Sequence, residues 1–156
     1  MVALVKTAVT VLFAQALFGL PVQAQELSDG GQKAEKEARM HIVVKSTDRE
    51  VVFQLNESDA ARDLYGQLPL TVKVKPFSIN EIIFYPPKAL RVDNTPQSNG
   101  KAGSLSYYEP WGNVVMFYAP CHPNASLYEL GSVVSGVENI SMLSGAVTVL
   151  RAKESK

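Results

Sequence analysis

Leu70-Thr71-Val72-Lys73-Val74-Lys75 alternates apolar and polar side chains without a slip. Successive side chains of an extended chain point to opposite faces, so this run has one buried face and one wet face. The period is two, which makes the stretch a strand. The rest of the chain is read outward from it.

Upstream, Pro69 closes a short helix, because the residue before a proline is pushed out of the α region. Ala61, Leu64, Tyr65 and Leu68 recur at helical spacing, and Asn56-Glu57-Ser58-Asp59 supplies N-cap residues ahead of them. Before the helix, Met40–Lys45 and Glu50–Leu55 form a hairpin around Ser46-Thr47-Asp48-Arg49. Val51, Phe53 and Leu55 share one face of it. Downstream, Glu81–Tyr85 is an apolar run stopped by Pro86-Pro87, and Asp93–Gly103 reads as a long exposed loop rich in Asn, Pro, Ser and Gly. Ser104–Glu109 and Val114–Ala119 are strands joined by the Pro110-Trp111-Gly112-Asn113 turn. Pro120–Ser126 is a second loop. Leu127–Val134 is a strand with a bulge expected at Gly131, Val137–Leu143 a helical turn, and Ala146–Arg151 the closing strand.

This makes about eight short strands and one or two short helices. No α/β alternation appears, so a doubly wound parallel sheet is excluded. The expected fold is mainly β, a closed antiparallel eight-stranded barrel, because closure removes exposed strand edges.

The 156 residues carry 15 basic and 15 acidic side chains, a formal net charge of zero. With no Lys/Arg run, a nucleic-acid partner held by phosphate contacts is not expected. One cysteine excludes an intramolecular disulfide and a four-thiolate zinc site. At the N-terminus, Lys6 precedes an apolar run from Thr7 to Leu20, Pro21 breaks it, and Val22-Gln23-Ala24 fits a cleavage site. The run is short of the roughly 20 residues that cross hydrocarbon. Residues 1–24 are therefore read as a signal peptide, and the mature protein as secreted or periplasmic with no membrane contact after cleavage. Residues 25–39 are charged with one sizeable apolar residue, Leu27, and read as a flexible tether. The barrel domain is placed at 40–152 and a polar tail at 153–156.

Several local strings occur in a familiar order. Asp59-Ala60-Ala61-Arg62-Asp63-Leu64 leads to Leu68-Pro69-Leu70-Thr71. Gly103-Ser104-Leu105-Ser106-Tyr107-Tyr108 is followed by Trp111-Gly112-Asn113, Val115-Met116-Phe117-Tyr118 and Leu130-Gly131. From Met40 to Ala152 the chain resembles a family of small bacterial cyclophilin-like domains, often exported. The resemblance implies a shortened cyclophilin barrel and no particular activity. Prolyl isomerases of the cyclophilin type carry Phe-His-Arg and Gln-Gly-Gly-Asp strings, and neither is present here. The resemblance therefore assigns no catalytic residue to this chain. The family pattern also has Gly-Asp where this chain has Gly103-Ser104.

The function expected from these readings is binding of a small molecule or a proline-containing peptide in a cleft on the barrel side, with no cofactor. The alternative is a peptidyl-prolyl isomerase with a rebuilt site. Arg91 is the candidate donor for such a site, since a cation near the prolyl nitrogen weakens amide resonance; Phe84 and Tyr85 join it as candidate pocket walls. Tyr107, Tyr108, Trp111, Phe117 and Tyr118 are the candidate ligand-binding aromatics. Alternation sends one ring of Tyr107-Tyr108 and one of Phe117-Tyr118 inward and the other outward. Cys121-His122 pairs a thiol with an imidazole, but no second Cys/His pair of ligand spacing accompanies it, so no metal site is expected.

Overall fold

The computed structural model describes residues 40–153. The expected signal peptide and tether, and the end of the expected polar tail, lie outside the described residues. Eight strands form the fold: β1 (His41–Lys45), β2 (Glu50–Leu55), β3 (Leu70–Phe77), β4 (Glu81–Phe84), β5 (Ser104–Tyr108), β6 (Asn113–Phe117), β7 (Leu127–Ser135) and β8 (Gly145–Arg151). Among the described residues one α-helix, α1 (Asp59–Gln67), follows β2. Two short 3-10 turns occur at Glu109–Trp111 and Val137–Met142.

The strands close into a barrel in the order β1-β2-β7-β5-β6-β4-β3-β8, and β8 pairs back onto β1. Every pairing is antiparallel. Period-two alternation fills the lumen. Ile42 and Val44, Val51 and Phe53, Ile82 and Phe84, and Val147 and Val149 all turn inward and are buried. The strand that opened the analysis, β3, sends Leu70, Val72 and Val74 to this core and leaves Thr71, Lys73 and Lys75 exposed.

The helix is capped as its sequence requires. The Ser58 hydroxyl accepts from the Ala61 N–H at 3.4 Å. Ala60, Ala61 and Leu64 join the lumen core, and burial of a leucine of this kind contributes about 1.5–3 kcal/mol.

Strand β7 carries two irregularities. Its pairing with β5 steps from Leu105↔Gly131 to Ser106↔Glu129, so Leu130 is an extra residue. Its pairing with β2 skips Val134. At Gly131 the strands approach so closely that an added Cβ would lie 2.1 Å from the Gln54 carbonyl oxygen.

The segment Asp93–Gly103 is the largely exposed loop expected of it, but Ser98, Gly100 and Gly103 within it are buried. Gln97 bridges to Tyr128, the Ser98 N–H donates to the Leu127 carbonyl, and the Glu129 N–H donates to that of Pro96. The start of β7 is paired with β5 on one edge, and this loop covers the other. Ser98 is buried there. It donates to the Glu129 carboxylate, which also accepts from Ser104 Oγ at 2.7 and 2.9 Å. A serine of the loop and one of β5 are thus spent on one half-buried carboxylate rather than on water.

Candidate functional site

Strand β6 is buried along its whole length. Val114 and Met116 face the lumen, so Asn113, Val115 and Phe117 must face the outer wall. The neighbouring strands follow the same parity. Ile83 of β4 and Leu127 of β7 join Val115 and Phe117 in a second apolar cluster, with Tyr108 and Cys121 packed against it.

This outer wall opens as a cleft of about 220 Å³. Asn113, Val115 and Phe117 line its floor, and Leu127 lines it from β7. Phe77 at the end of β3 and Glu81 at the start of β4 line one end, and these two residues are partners across the strand pair. Cys121, His122 and Asn124 line it from the second loop.

The aromatic wall is built by a specific local device. Tyr108 ends β5, and Pro110 lies in the first turn of the 3-10 segment. Gly112 then takes the left-handed conformation at φ 67°, its N–H donating to the Tyr108 and Glu109 carbonyls. Such a φ suits glycine and few other residues. The turn stands Trp111 out from the barrel, 51% exposed. Its ring meets Phe77 at 5.2 Å and Tyr108 at 5.4 Å between centroids, both edge-on. Three rings thus form one continuous wall, in the geometry aromatic quadrupoles favour.

Two polar groups in the cleft lack the partners burial normally demands. Asn113 is 2% exposed, and its side-chain oxygen Oδ1 is buried without a hydrogen-bond donor. Native structures rarely leave such an atom unpaired. Glu81 is half-buried, and among the described residues no lysine or arginine forms an ion pair with it. Burial pushes its carboxyl above the usual range. The Cys121 thiol is also pushed up, first by burial and then by the Glu81 charge. A raised thiol is a poor nucleophile at neutral pH. Cys121 is held where the two loops meet, its N–H donating to the Gly100 carbonyl at 2.9 Å.

Of the residues expected from sequence to bind a ligand, Tyr108, Trp111 and Phe117 line this cleft together. Tyr107, Tyr118 and Arg91 do not. Tyr107 turns into the lumen, as its parity with Tyr108 dictates, and its hydroxyl accepts from the Leu90 N–H at 3.2 Å. Tyr118 packs against the lumen core. Arg91 is held on α1: Asp63 accepts from its Nε at 3.0 Å and its Nη2 at 2.8 Å. That bidentate pair occupies the guanidinium edge that would face an imide. Phe84 is buried in the core, and Tyr85 lies outside the cleft under the Lys75 ammonium at 5.6 Å.

Cys121 and His122, adjacent in sequence, both line the cleft. Among the described residues no group of three His, Cys, Asp or Glu side chains could hold a metal ion. Phe77, Glu81, Asn113, Val115, Asn124 and Leu127 were not anticipated. One signal for part of this set was present: Val114-Val115-Met116-Phe117 is apolar at four consecutive positions, which means that both faces of the strand are covered.

The fold is shared with solved structures at low identity. The hypothetical protein AF2241 from Archaeoglobus fulgidus matches with a TM-score of 0.61 at 19% identity, over 74% of this chain and 96% of that one. McbB, solved in complex with tryptophan, matches with a TM-score of 0.53 at 14% identity, over 74% of this chain and 46% of that one. Comparison with curated proteins finds no match. A model of the cyclophilin-like family matches residues 44–150, nearly the whole barrel, and the chain belongs to that family.

Proposed function

We propose that this protein is an exported small-molecule binder whose ligand lies in the cleft on the outer wall of the barrel. The observation that carries this reading is the outer face of β6. It combines an apolar floor, a wall of three aromatic rings and the polar side chains of Glu81 and Asn113 in one concavity. Ligand sites are characteristically apolar with a few converging polar groups.

Size favours a single-ring or two-ring molecule over an extended peptide. The 220 Å³ of the cleft lies below the range of roughly 300–1,000 Å³ typical of drug-sized ligands. A peptide that docks by adding a strand needs a free sheet edge, and a closed barrel has none. McbB, of similar fold, is known with tryptophan bound, a ligand of this size class. The isomerase reading centred on Arg91 has no comparable support, since that arginine is paired with Asp63 away from the cleft lining.

Trp111 is the one tryptophan in the chain, so its fluorescence reports on the cleft directly. A screen of small aromatic fragments should shift Trp111 emission and the amide resonances of Val115 and Leu127. Val115→Phe, which fills the floor, should abolish both responses while the barrel stays folded. Fragments that bind with no response at these positions would overturn the assignment. Export is tested separately: the mature protein recovered outside the cytoplasm should begin at Gln25, and retention of residues 1–24 would refute it.

A further inference from the structure

The exposed apolar side chains of the barrel are not spread evenly. Among the described residues the exposed aromatics are Phe77, Tyr85 and Trp111, and all three lie on or against the β3–β4 hairpin. Ile79, in the turn of that hairpin, is 88% exposed. The turn is braced. The Asn80 carbonyl accepts from the Tyr118 and Ala119 N–H groups at 3.0 and 3.2 Å, and Asn80 Nδ2 donates to the Pro120 carbonyl at 3.3 Å. Ile79 is thus held out into solvent by a fixed turn, where it adds nothing to the core.

Lysines stand beside these rings. Val72 and Val74 of β3 turn to the lumen core, so Lys73, Lys75 and Phe77 form one outward row, and all three are exposed. Lys75 Nζ lies 5.6 Å from the centroid of the Tyr85 ring, and Phe77 in turn meets Trp111. Neither Lys73 nor Lys75 forms an ion pair among the described residues. The acids of this region are Glu81, which is half-buried in the cleft lining, and Glu109 at the start of the Trp111 turn.

We propose that this face is a docking surface for an anionic lipid bilayer. Ile79, Phe77 and Trp111 enter the boundary between headgroups and acyl chains, Tyr85 lies at headgroup level, and Lys73 and Lys75 meet lipid phosphates. The residue types favour lipid over a protein partner. Protein interfaces enrich arginine and deplete lysine, whereas a bilayer surface draws tryptophan, tyrosine and snorkelling lysine together. The contact is peripheral, and it departs from the sequence-based expectation of no membrane contact. It does not rest on the small-molecule reading, because Lys73, Lys75, Ile79 and Tyr85 lie outside the cleft lining.

Trp111 emission is the readout, since it reports this face even where residues 1–24 bind vesicles by themselves. Vesicles of equimolar phosphatidylcholine and phosphatidylglycerol should shift it to the blue, and phosphatidylcholine alone should do so far more weakly. Ile79→Ser should weaken the apparent affinity about tenfold or more. Lys73→Gln and Lys75→Gln should each weaken it about fivefold at low salt, and added salt should erase that difference. Val134→Ser should change nothing: Val134 is also exposed, but it lies on β7, halfway round the barrel from β3. All four side chains are exposed, and amide spectra establish that the variants are folded. Absence of the blue shift on anionic vesicles would overturn the proposal, and so would an Ile79→Ser variant that binds like the parent. A response to soluble dextran sulfate as large as that to vesicles would mark the lysines as a contact for anionic polymers and overturn the lipid assignment. None of these results bears on the fragment screen of the cleft.

Discussion

Replacing Asn113 with leucine should stabilise the protein, although it removes a polar residue that lines the site. The side chain is 2% exposed and Oδ1 has no donor. An unsatisfied buried polar atom costs about 1–3 kcal/mol. Leucine has nearly the same shape, and its neighbours on the outer face, Val115 and Leu127, are apolar. The backbone pairing of Asn113 with Tyr108 does not depend on the side chain. Relief of the orphaned oxygen should therefore appear almost whole, as a gain of about 1–3 kcal/mol. For a domain of this size each kcal/mol moves Tm by about 4 °C, so the expected rise is about 4–12 °C. Urea unfolding should show the same gain in midpoint with an unchanged m-value. Asn113→Asp supplies the opposite sign: it buries an unpaired carboxylate, so it should destabilise at neutral pH and recover on acidification. A leucine variant no more stable than the parent would mean that Oδ1 is satisfied in solution, and would refute the assignment of an unpaired buried oxygen.

Further outcomes follow from other parts of the barrel. Gly131→Ala should be among the most damaging single changes, losing about 2 kcal/mol or more in urea unfolding, because its Cβ would meet the backbone of β2 at 2.1–2.9 Å and the strands would have to part. Glu129→Ala should cost about 1–3 kcal/mol by stranding the buried hydroxyls of Ser98 and Ser104, whereas Glu129→Gln, which keeps an acceptor, should cost less. Glu81→Gln should raise Tm at neutral pH. Burial raises the folded carboxyl above its unfolded value, so the ionised form is the unfavourable one; the gain should shrink as pH falls through that raised value and vanish below the unfolded one. Asp63→Asn should act in the reverse sense. Its hydrogen bond with Arg91 holds the folded carboxyl low, so its stabilisation is full above the unfolded value near 4 and is lost as pH falls through the lower folded one; the parent and variant melting curves should converge in acid.

The barrel could be read from sequence because its inward half obeys period two almost everywhere. Each strand of the wall was placed to within one or two residues, since a closed lumen forces one face of every strand to be apolar. Loops obey no period, and there the reading missed the buried contacts. Asp93–Gly103 has the composition of an exposed loop, yet Ser98 is buried on the Glu129 carboxylate. Its partner lies 31 residues away, and nothing local announces it. Arg91 was misplaced for a related reason. An arginine beside an aromatic strand looks like a cleft residue until the three-dimensional fold brings Asp63 against it from 28 residues upstream.

The aromatic residues show how far parity alone can go. It sent Tyr107 and Tyr108 to opposite faces, and the structure places Tyr107 inside and Tyr108 outside. Parity did not say which face carried the site. The lumen of this barrel is filled by the side chains that make it stable, which is why the proposed ligand site lies on the outer wall. The outer wall is ordinarily polar. Where it turns apolar, as at Val115 and Phe117 of β6, something has to cover it. The two loops that meet at Cys121 cover part of it, and Trp111 covers another part from its turn. The cleft is the portion of that apolar wall which the protein's own loops leave open.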